Sequence, residues 1–273
     1  MSILKISDEL SKFIFTKSCE KDLELTLKNS NQFDILISSI KKILENNQFI
    51  IIKNIGFNNS KSMFEYFVKQ FGNYYGMVEY TDIKLDCNYT GCTFGHIELH
   101  NDDAIDLTNQ PIYGFIQVIK EDPLKLPKNG IVKIMDMVRY LEVYELDLLD
   151  EFLSTKIPML SKGVNYDDTN KDIIEIFEPL IYTKDNKYFT RFDITRIKYY
   201  YKFHNKKQDR KESLLIDNFL KYAKKFRSEF YLENGDILIH NNKTTLHDRT
   251  ACSMELNIDG TFNSREIFVS FAR

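Results

Sequence analysis

Several features that mark special classes of protein are scarce in this chain of 273 residues. Glycine and proline number only 10 and 5, which argues against a collagen-like or disordered chain. Lys and Arg number 37 against 40 Asp and Glu, so no general basic excess is available to bind nucleic acid. The longest wholly aliphatic or aromatic stretch is residues 49–52, far too short to span a bilayer. We therefore expect neither a nucleic-acid partner nor a membrane partner.

Cysteine is also scarce, and its spacing is uninformative. The four residues are Cys19, Cys87, Cys92 and Cys252, and no two of them form a CxxC pair. The first residues run into charged positions without an apolar segment, so no secretory signal is predicted. We expect reduced, mostly buried thiols in a cytoplasmic protein rather than a disulfide framework.

Hydrophobic periodicity predicts a mainly β chain with several helices. Apolar residues spaced by three and four predict helices over 33–46, 60–71, 136–149 and 211–225, with Ser60 as the cap of the second. Short apolar runs predict strands over 48–53, 112–119, 130–135, 226–232, 236–240 and 265–272. No repeat or linker is visible, so we treat residues 1–273 as one domain. The regular alternation of strand and helix that a doubly wound sheet needs is missing.

The first chemically suggestive motif is His100-Asn101-Asp102. In an extended strand, residues i and i+2 point to the same face. His100 and Asp102 would then offer an imidazole nitrogen and a carboxylate oxygen to one metal ion. A second histidine from a distant strand would complete a set of two His and one carboxylate, which suits non-haem Fe(II).

A second block begins near residue 235 and can supply that histidine. Residues 235–242 read as a turn, an apolar strand and a polar bend, and His247 follows in the segment 246–251. Arg265 then opens a strand-like segment. A buried arginine beside a metal is well suited to hold a carboxylate in a bidentate fork.

The order of these motifs is HxD, a long gap, GDxLxxxN, LHxRTA and a late arginine. This order resembles the Fe(II)/2-oxoglutarate-dependent dioxygenases, most closely the taurine dioxygenase and clavaminate synthase branch. Residues 233–251 carry the most specific part, and residues 47–76 and 111–141 add to it. The resemblance implies a double-stranded β-helix, or jelly roll, with helices packed outside. It also implies an oxidoreductase that consumes molecular oxygen and 2-oxoglutarate and releases succinate and CO2.

Carried over residue by residue, the resemblance implies a complete catalytic set. His100, Asp102 and His247 would bind Fe(II), and Arg265 would bind the far carboxylate of 2-oxoglutarate. Related halogenases replace the metal-binding carboxylate with a small residue. The carboxylate of Asp102 therefore favours hydroxylation, desaturation or a similar oxidation.

The sequence departs from that branch in two places. The gap between His247 and Arg265 is longer by a few residues around 257–263, which leaves Arg249 as a rival for the cosubstrate carboxylate. A Thr or Ser near the strand at Gly130 often contacts 2-oxoglutarate, but here the strand reads Ile131-Val132-Lys133. The residues alone name no substitute.

Other polar residues carry open alternatives. His96 and Glu98 form a competing HxE pair, although we favour His100 and Asp102 because the strand after Pro111 then falls at a family-like distance. Asp193 either binds an ammonium or guanidinium group of a substrate or belongs to a surface strand. The tyrosines at 199–201 are interpreted as packing or a lid, and His204 and His240 as structural or exposed residues.

These observations lead to one main functional hypothesis and two others. The main hypothesis is an oxygenase that hydroxylates or otherwise oxidises a small amino acid or related metabolite. The second is a non-catalytic jelly-roll binding or structural protein that retains the metal motif. The third is a hydrolase that uses a different divalent metal in the same pocket.

Overall fold

The computed structural model describes residues 2–18, 27, 30–84, 91–105, 110–161 and 173–273. The helices within them are α1 Asp8–Ser18, α2 Asn31–Asn47, α3 Lys61–Lys69, α4 Ile134–Tyr144, α5 Leu146–Ser154, α6 Ile194–Phe203 and α7 Arg210–Lys225. The strands are β1 Ile3–Lys5, β2 Phe49–Lys53, β3 Tyr74–Asp82, β4 Ile97–His100, β5 Tyr113–Lys120, β6 Asn129–Lys133, β7 Ile157–Leu160, β8 Glu175–Glu178, β9 Ile181–Lys184, β10 Lys187–Thr190, β11 Arg227–Phe230, β12 Ile237–Asn241, β13 Thr245–Arg249, β14 Met254–Leu256, β15 Phe262–Ser264 and β16 Glu266–Ala272. No helix among these residues combines the length and apolar character needed to cross a membrane.

Two sheets form the centre of the fold. The larger has six strands in the order β1-β2-β12-β5-β16-β3, and the smaller has four in the order β11-β6-β13-β4. All pairings in both sheets are antiparallel except that of β1 with β2. Neighbouring strands in each sheet are far apart in sequence, as the crossing connections of a jelly roll require.

Three apolar clusters hold the layers together. One contains residues of both sheets, including Phe49, Ile131 and Leu238, and fills part of the space between the sheets. A second packs α1, α2 and α3 against the outer face of the larger sheet. A third packs α4 to α7 against the outer face of the smaller sheet. The two sheets are therefore enclosed by helices on both outer faces.

The local sequence explains where the main helices begin. Ser30 caps α2 by accepting a hydrogen bond from the Phe33 amide, and Ser60 caps α3 in the same way from Met63. Such caps satisfy amides that have no partner inside the helix. The predicted cap at Ser60 is thus confirmed.

The predicted helix that begins at Asp136 is two helices in the structure. Helix α4 starts at Ile134 and ends at Tyr144, and α5 starts at Leu146. Glu145 between them has φ −148° and ψ 53°, which no helix accommodates. The apolar spacing survives the break because both helices bury their apolar faces in the same cluster.

One expectation about the cysteines is wrong. Cys92 is disulfide-bonded, although no CxxC motif signals it. A disulfide depends on the approach of two side chains in space rather than on their spacing in sequence. Cys252 is a buried free thiol, and Cys19 and Cys87 lie outside the described residues.

Candidate metal centre

The space between the two sheets is only partly filled, and the remainder is a cavity of about 120 Å³. Its wall includes side chains from both sheets: Glu79, His100, Asp102, Asn129, His240, His247, Arg249 and Arg265. Polar and charged groups are therefore concentrated in one cavity, as at binding and catalytic sites.

His100, Asp102 and His247 meet in this cavity. His100 ends β4 and lies directly opposite His247 on β13, with the two rings 4.2 Å apart. The Asp102 carboxylate lies 3.8 Å from His100 Nε2 and 3.6 Å from His247 Nε2. One ligand atom from each of the three lies within 4.8 Å of the others. The three groups can therefore share one metal ion.

The route by which Asp102 reaches this point differs from the one expected. Strand β4 ends at His100, and Asp102 begins a turn. The next residue, Asp103, has a positive φ of 47°, which an aspartate tolerates better than most residues do. The same-face rule for strands therefore does not explain the contact, because the turn brings the carboxylate to the histidines.

The protonation of the three groups suits a cation. His100 Nδ1 lies 2.8 Å from the Glu98 carbonyl, which only accepts, so Nδ1 donates and Nε2 keeps its lone pair. Burial, followed by the nearby His100 and His240, holds the pKa of His247 well below its usual range. Burial raises the pKa of Asp102 to about 6, against the opposing effect of His100. The set of two imidazoles and one carboxylate fits Fe(II).

The His240 ring packs against the His247 ring. It is buried, its Nδ1 lies 3.2 Å from Thr245 Oγ1, and its ring is 4.6 Å from that of His247. Burial lowers the pKa of His240 to about 3, so the ring is neutral at physiological pH. A Cβ at Gly114 would overlap His240 Nε2, which is why this position of β5 takes no side chain.

The two candidate arginines differ in their bonding. Arg249 donates to the carbonyls of Thr93 and Thr250 and to the sulfur of Cys252, at 2.5, 2.9 and 2.7 Å. Arg265 is 4% exposed, and its Nη2 has no hydrogen-bond partner among the described residues. Burial lowers the pKa of Arg265 to about 10, so the guanidinium remains charged at neutral pH. Arg265 therefore has a donor available for an anionic ligand.

Sequence reasoning missed two further residues of the wall. Asn129 begins β6, is buried, and pairs in register with Arg249 on β13. Glu79 lies on β3, opposite Val269 of β16, close enough to raise the pKa of Asp102 after burial and other charges. Only the packing of the two sheets brings these residues together, and no motif around either one signals it.

Of the other candidate residues, Asp193 adjoins the centre, because its backbone pairs with that of His100. The side chains of His96 and Glu98 are 42% and 47% exposed and contact each other at 3.4 Å. The Asp193 carboxylate caps α6 through the amides of Thr195 and Arg196. It also contacts Arg196 Nε at 3.2 Å.

The tyrosines and the remaining histidine are away from the cavity wall. The tyrosine stretch is part of α6. Tyr200 is buried and Tyr201 bonds Glu212 of α7, so the stretch packs against its neighbours. His204 pairs with Glu175 at 2.7 Å. The extra residues after His247 form the hairpin of β14 and β15.

No protein-family model matches the sequence, and no curated protein matches it. Solved structures do match over the whole chain. An asparagine oxygenase in complex with Fe(II), 2S,3S-3-hydroxyasparagine and succinate has a TM-score of 0.75 at 10% identity, over 100% of this chain and 93% of that chain. The non-haem iron oxygenase OrfP, in complex with Fe, succinate and (3R,4R)-dihydroxy-L-Arg, has a TM-score of 0.70 at 12% identity, over 100% and 94%. The chain has the fold of the non-haem iron oxygenases.

This likeness confirms the predicted fold class, a jelly roll with helices outside. At such low identity it extends to the fold alone.

Proposed function

We propose that this protein is an Fe(II)- and 2-oxoglutarate-dependent oxygenase that oxidises a small amino acid or related metabolite. The observation that carries the proposal is the convergence of His100, Asp102 and His247 in a cavity that also contains Arg265. The three residues would hold Fe(II) by one face and leave the opposite face open, as non-haem iron oxygenases require. When bound, iron and 2-oxoglutarate would supply the activation of molecular oxygen and the oxidising power.

The chain's own residues would bind and orient the cosubstrate. Arg265 would form a charge-assisted hydrogen bond with the far carboxylate of 2-oxoglutarate, since its Nη2 is buried and has no acceptor in the described part of the chain. Asn129 would donate its amide to the same carboxylate and take the place of the missing Thr or Ser. Arg249 would support this wall through its bonds to Thr93, Thr250 and Cys252.

The acidic part of the cavity favours a substrate with a cationic group. Glu79 and Asp102 line it, and Asp102 would bind the metal. The Glu79 carboxylate would therefore face the ammonium group of an amino acid. The asparagine oxygenase and OrfP, which share the fold, have been captured with 3-hydroxyasparagine and with arginine or its hydroxylated products, which supports a free amino acid here.

The proposal extends to the setting of the enzyme. Residues 1–273 would act as a single catalytic domain in the cytoplasm, with molecular oxygen and small molecules as partners. The disulfide at Cys92 is unusual for that compartment. The cytoplasm keeps thiols reduced, so an enzyme that works there must be active without the disulfide. Reduction of the purified protein should therefore leave activity intact if the proposed location is correct.

A screen of amino acids for succinate formation tests the proposal directly. Purified protein is incubated with Fe(II), ascorbate, oxygen and 2-oxoglutarate, and each amino acid is added in turn. We expect one amino acid to stimulate succinate formation and to be converted to a product that has gained oxygen or lost hydrogen. With the His247→Ala variant, the same amino acid should neither stimulate succinate formation nor be converted. A non-catalytic jelly roll would form no succinate with any addition, and a hydrolase would act without oxygen.

A further inference from the structure

We infer that Asn101 and Asn242 are positioning residues that hold the backbone of Asp102 in place for metal binding. The inference rests on the proposed function, because it assumes that Asp102 is a metal ligand. Neither asparagine is among the residues that line the cavity, whereas all three proposed ligands are. Both act through the main chain that carries those ligands.

The Asn242 side chain hydrogen-bonds both backbone polar groups of Asp102. Its Oδ1 accepts the Asp102 amide at 2.9 Å, and its Nδ2 donates to the Asp102 carbonyl at 2.9 Å. The same Nδ2 donates to the Pro111 carbonyl at 3.2 Å, and the Asn242 amide donates to the Ile112 carbonyl at 2.8 Å. Asp102 follows the end of β4 and is in no strand, so these bonds replace the ladder that would otherwise fix it.

Asn101 joins the two histidine-bearing strands. Its Nδ2 donates to the carbonyls of Asn242 and Thr245 at 2.5 and 2.7 Å. Thr245 is the first residue of β13 and is two positions before His247. Because Asn101 itself lies between His100 and Asp102, its amide connects the segment carrying two proposed ligands to the strand carrying the third.

Asn101 is also held at its other end. Its Oδ1 accepts the Phe192 amide at 2.9 Å, and its own amide donates to the Phe192 carbonyl at 2.8 Å. Asn101 is 1% exposed and Asn242 is 0% exposed, and each carboxamide uses both its oxygen and its nitrogen. Loss of either carboxamide would remove a hydrogen-bond partner from several buried backbone groups, although the Asp102 carbonyl would keep Gln110 Nε2 at 3.2 Å.

A preformed metal site needs such bonds, because a carboxylate on a free turn would lose conformational entropy on binding. Residues that orient metal ligands typically change metal affinity about 10–100-fold when they are replaced. Asn241 offers a matched control in the same turn. Its side chain accepts the Lys243 amide at 3.1 Å, and among the described residues it has no hydrogen bond to residues 100–102.

The experiment measures metal affinity rather than activity. Metal-free protein is titrated with Co(II), an air-stable stand-in for Fe(II), by calorimetry and by visible absorption, which reports the ligand set. We expect Asn242→Ala and Asn101→Ala to bind Co(II) about 10–100-fold more weakly than the wild type. Their absorption spectra should also change, whereas Asn241→Ala should match the wild type in both. Asn242→Ser fits the same space and is measured in parallel in case an alanine variant fails to fold.

Thermal unfolding with and without Co(II) separates positioning from a purely structural role. A purely structural role lowers stability equally in both conditions and leaves the stabilisation by Co(II) unchanged. That result, or wild-type affinity in the folded Asn242 and Asn101 variants, would overturn the inference while the metal centre stands. If the wild type and His247→Ala bind Co(II) equally, both the metal centre and this inference fail.

Discussion

Replacement of Arg265 should weaken 2-oxoglutarate binding without affecting metal binding. Its guanidinium is buried in the cavity, and Nη2 has no partner among the described residues. A charge-assisted hydrogen bond contributes about 1.5–3 kcal/mol, and each 1.4 kcal/mol corresponds to about tenfold in affinity. We therefore expect Arg265→Ala to bind 2-oxoglutarate roughly 10–100-fold more weakly. Arg265→Lys should have a smaller defect, because lysine keeps the charge but loses the fork.

The nearest cation is poorly placed to compensate. Arg249 already donates to two carbonyls and to the Cys252 sulfur, so its guanidinium would have to break those bonds to reach the ligand. Arg273 is at the far end of β16, about 26 Å away at about 3.3 Å per residue. The loss at Arg265 should therefore appear in full.

Calorimetric titration of 2-oxoglutarate into anaerobic, Fe(II)-loaded protein measures the effect. The Fe(II) affinity of each variant is measured first, so that a change in the metal site is not mistaken for one in the cosubstrate site. Arg249→Ala is the comparison variant. Wild-type affinity in Arg265→Ala together with a large defect in Arg249→Ala would show that the wrong arginine has been assigned.

Three other predictions follow from the cavity and its supports. His247→Ala should abolish metal-dependent succinate formation, whereas His96→Ala should retain it; the opposite result would favour the His96 register. Burial raises the pKa of Asp102 to about 6, so the folded metal-free protein holds this proton more tightly than the unfolded chain does. The free energy of unfolding should therefore decrease as the pH rises from about 4 to about 6. Asp102→Asn removes that decrease, because asparagine does not titrate. The melting temperature of the variant minus that of the wild type should therefore be larger at pH 7 than at pH 4.5, and an equal difference at the two pH values would contradict the prediction. Gly130→Ala should cost about 1–3 kcal/mol in urea unfolding, because a Cβ there would overlap the ion pair between Arg227 and Asp248, whereas Gly95→Ala, with only an ordinary contact, should cost little.

The resemblance of its motifs to the Fe(II)/2-oxoglutarate-dependent dioxygenases predicted the jelly roll, and local signals in the sequence predicted several of its elements. The apolar run at 49–53 is the buried strand β2, and the serine at 60 caps α3. The spacing of residues 235–247 indicated a strand, a bend and a histidine, and the structure has β12, a turn and β13 there. Each of these signals is local, so no knowledge of tertiary contacts was needed.

The supports of the site could not be predicted in the same way. Asn101 and Asn242 bond across 140 residues or more. Asn101 lies inside the HxD motif and Asn242 ends the GDxLxxxN motif, but neither motif indicates which groups these side chains bond. Asn129 and Glu79 reach the cavity only because two sheets pack face to face. The disulfide at Cys92 likewise depends on spatial approach, which its spacing in sequence did not reveal.

The distribution of the proposed ligands over the two sheets has a mechanical consequence. His100 and His247 belong to the smaller sheet, whereas Arg265 immediately precedes β16 of the larger one. A diacid that contacts the metal at one end and the Arg265 guanidinium at the other would therefore link the two sheets. Metal and 2-oxoglutarate together should protect amides on the facing strands β13 and β16 from hydrogen exchange more than either ligand does alone, because only the pair joins both halves of the sandwich.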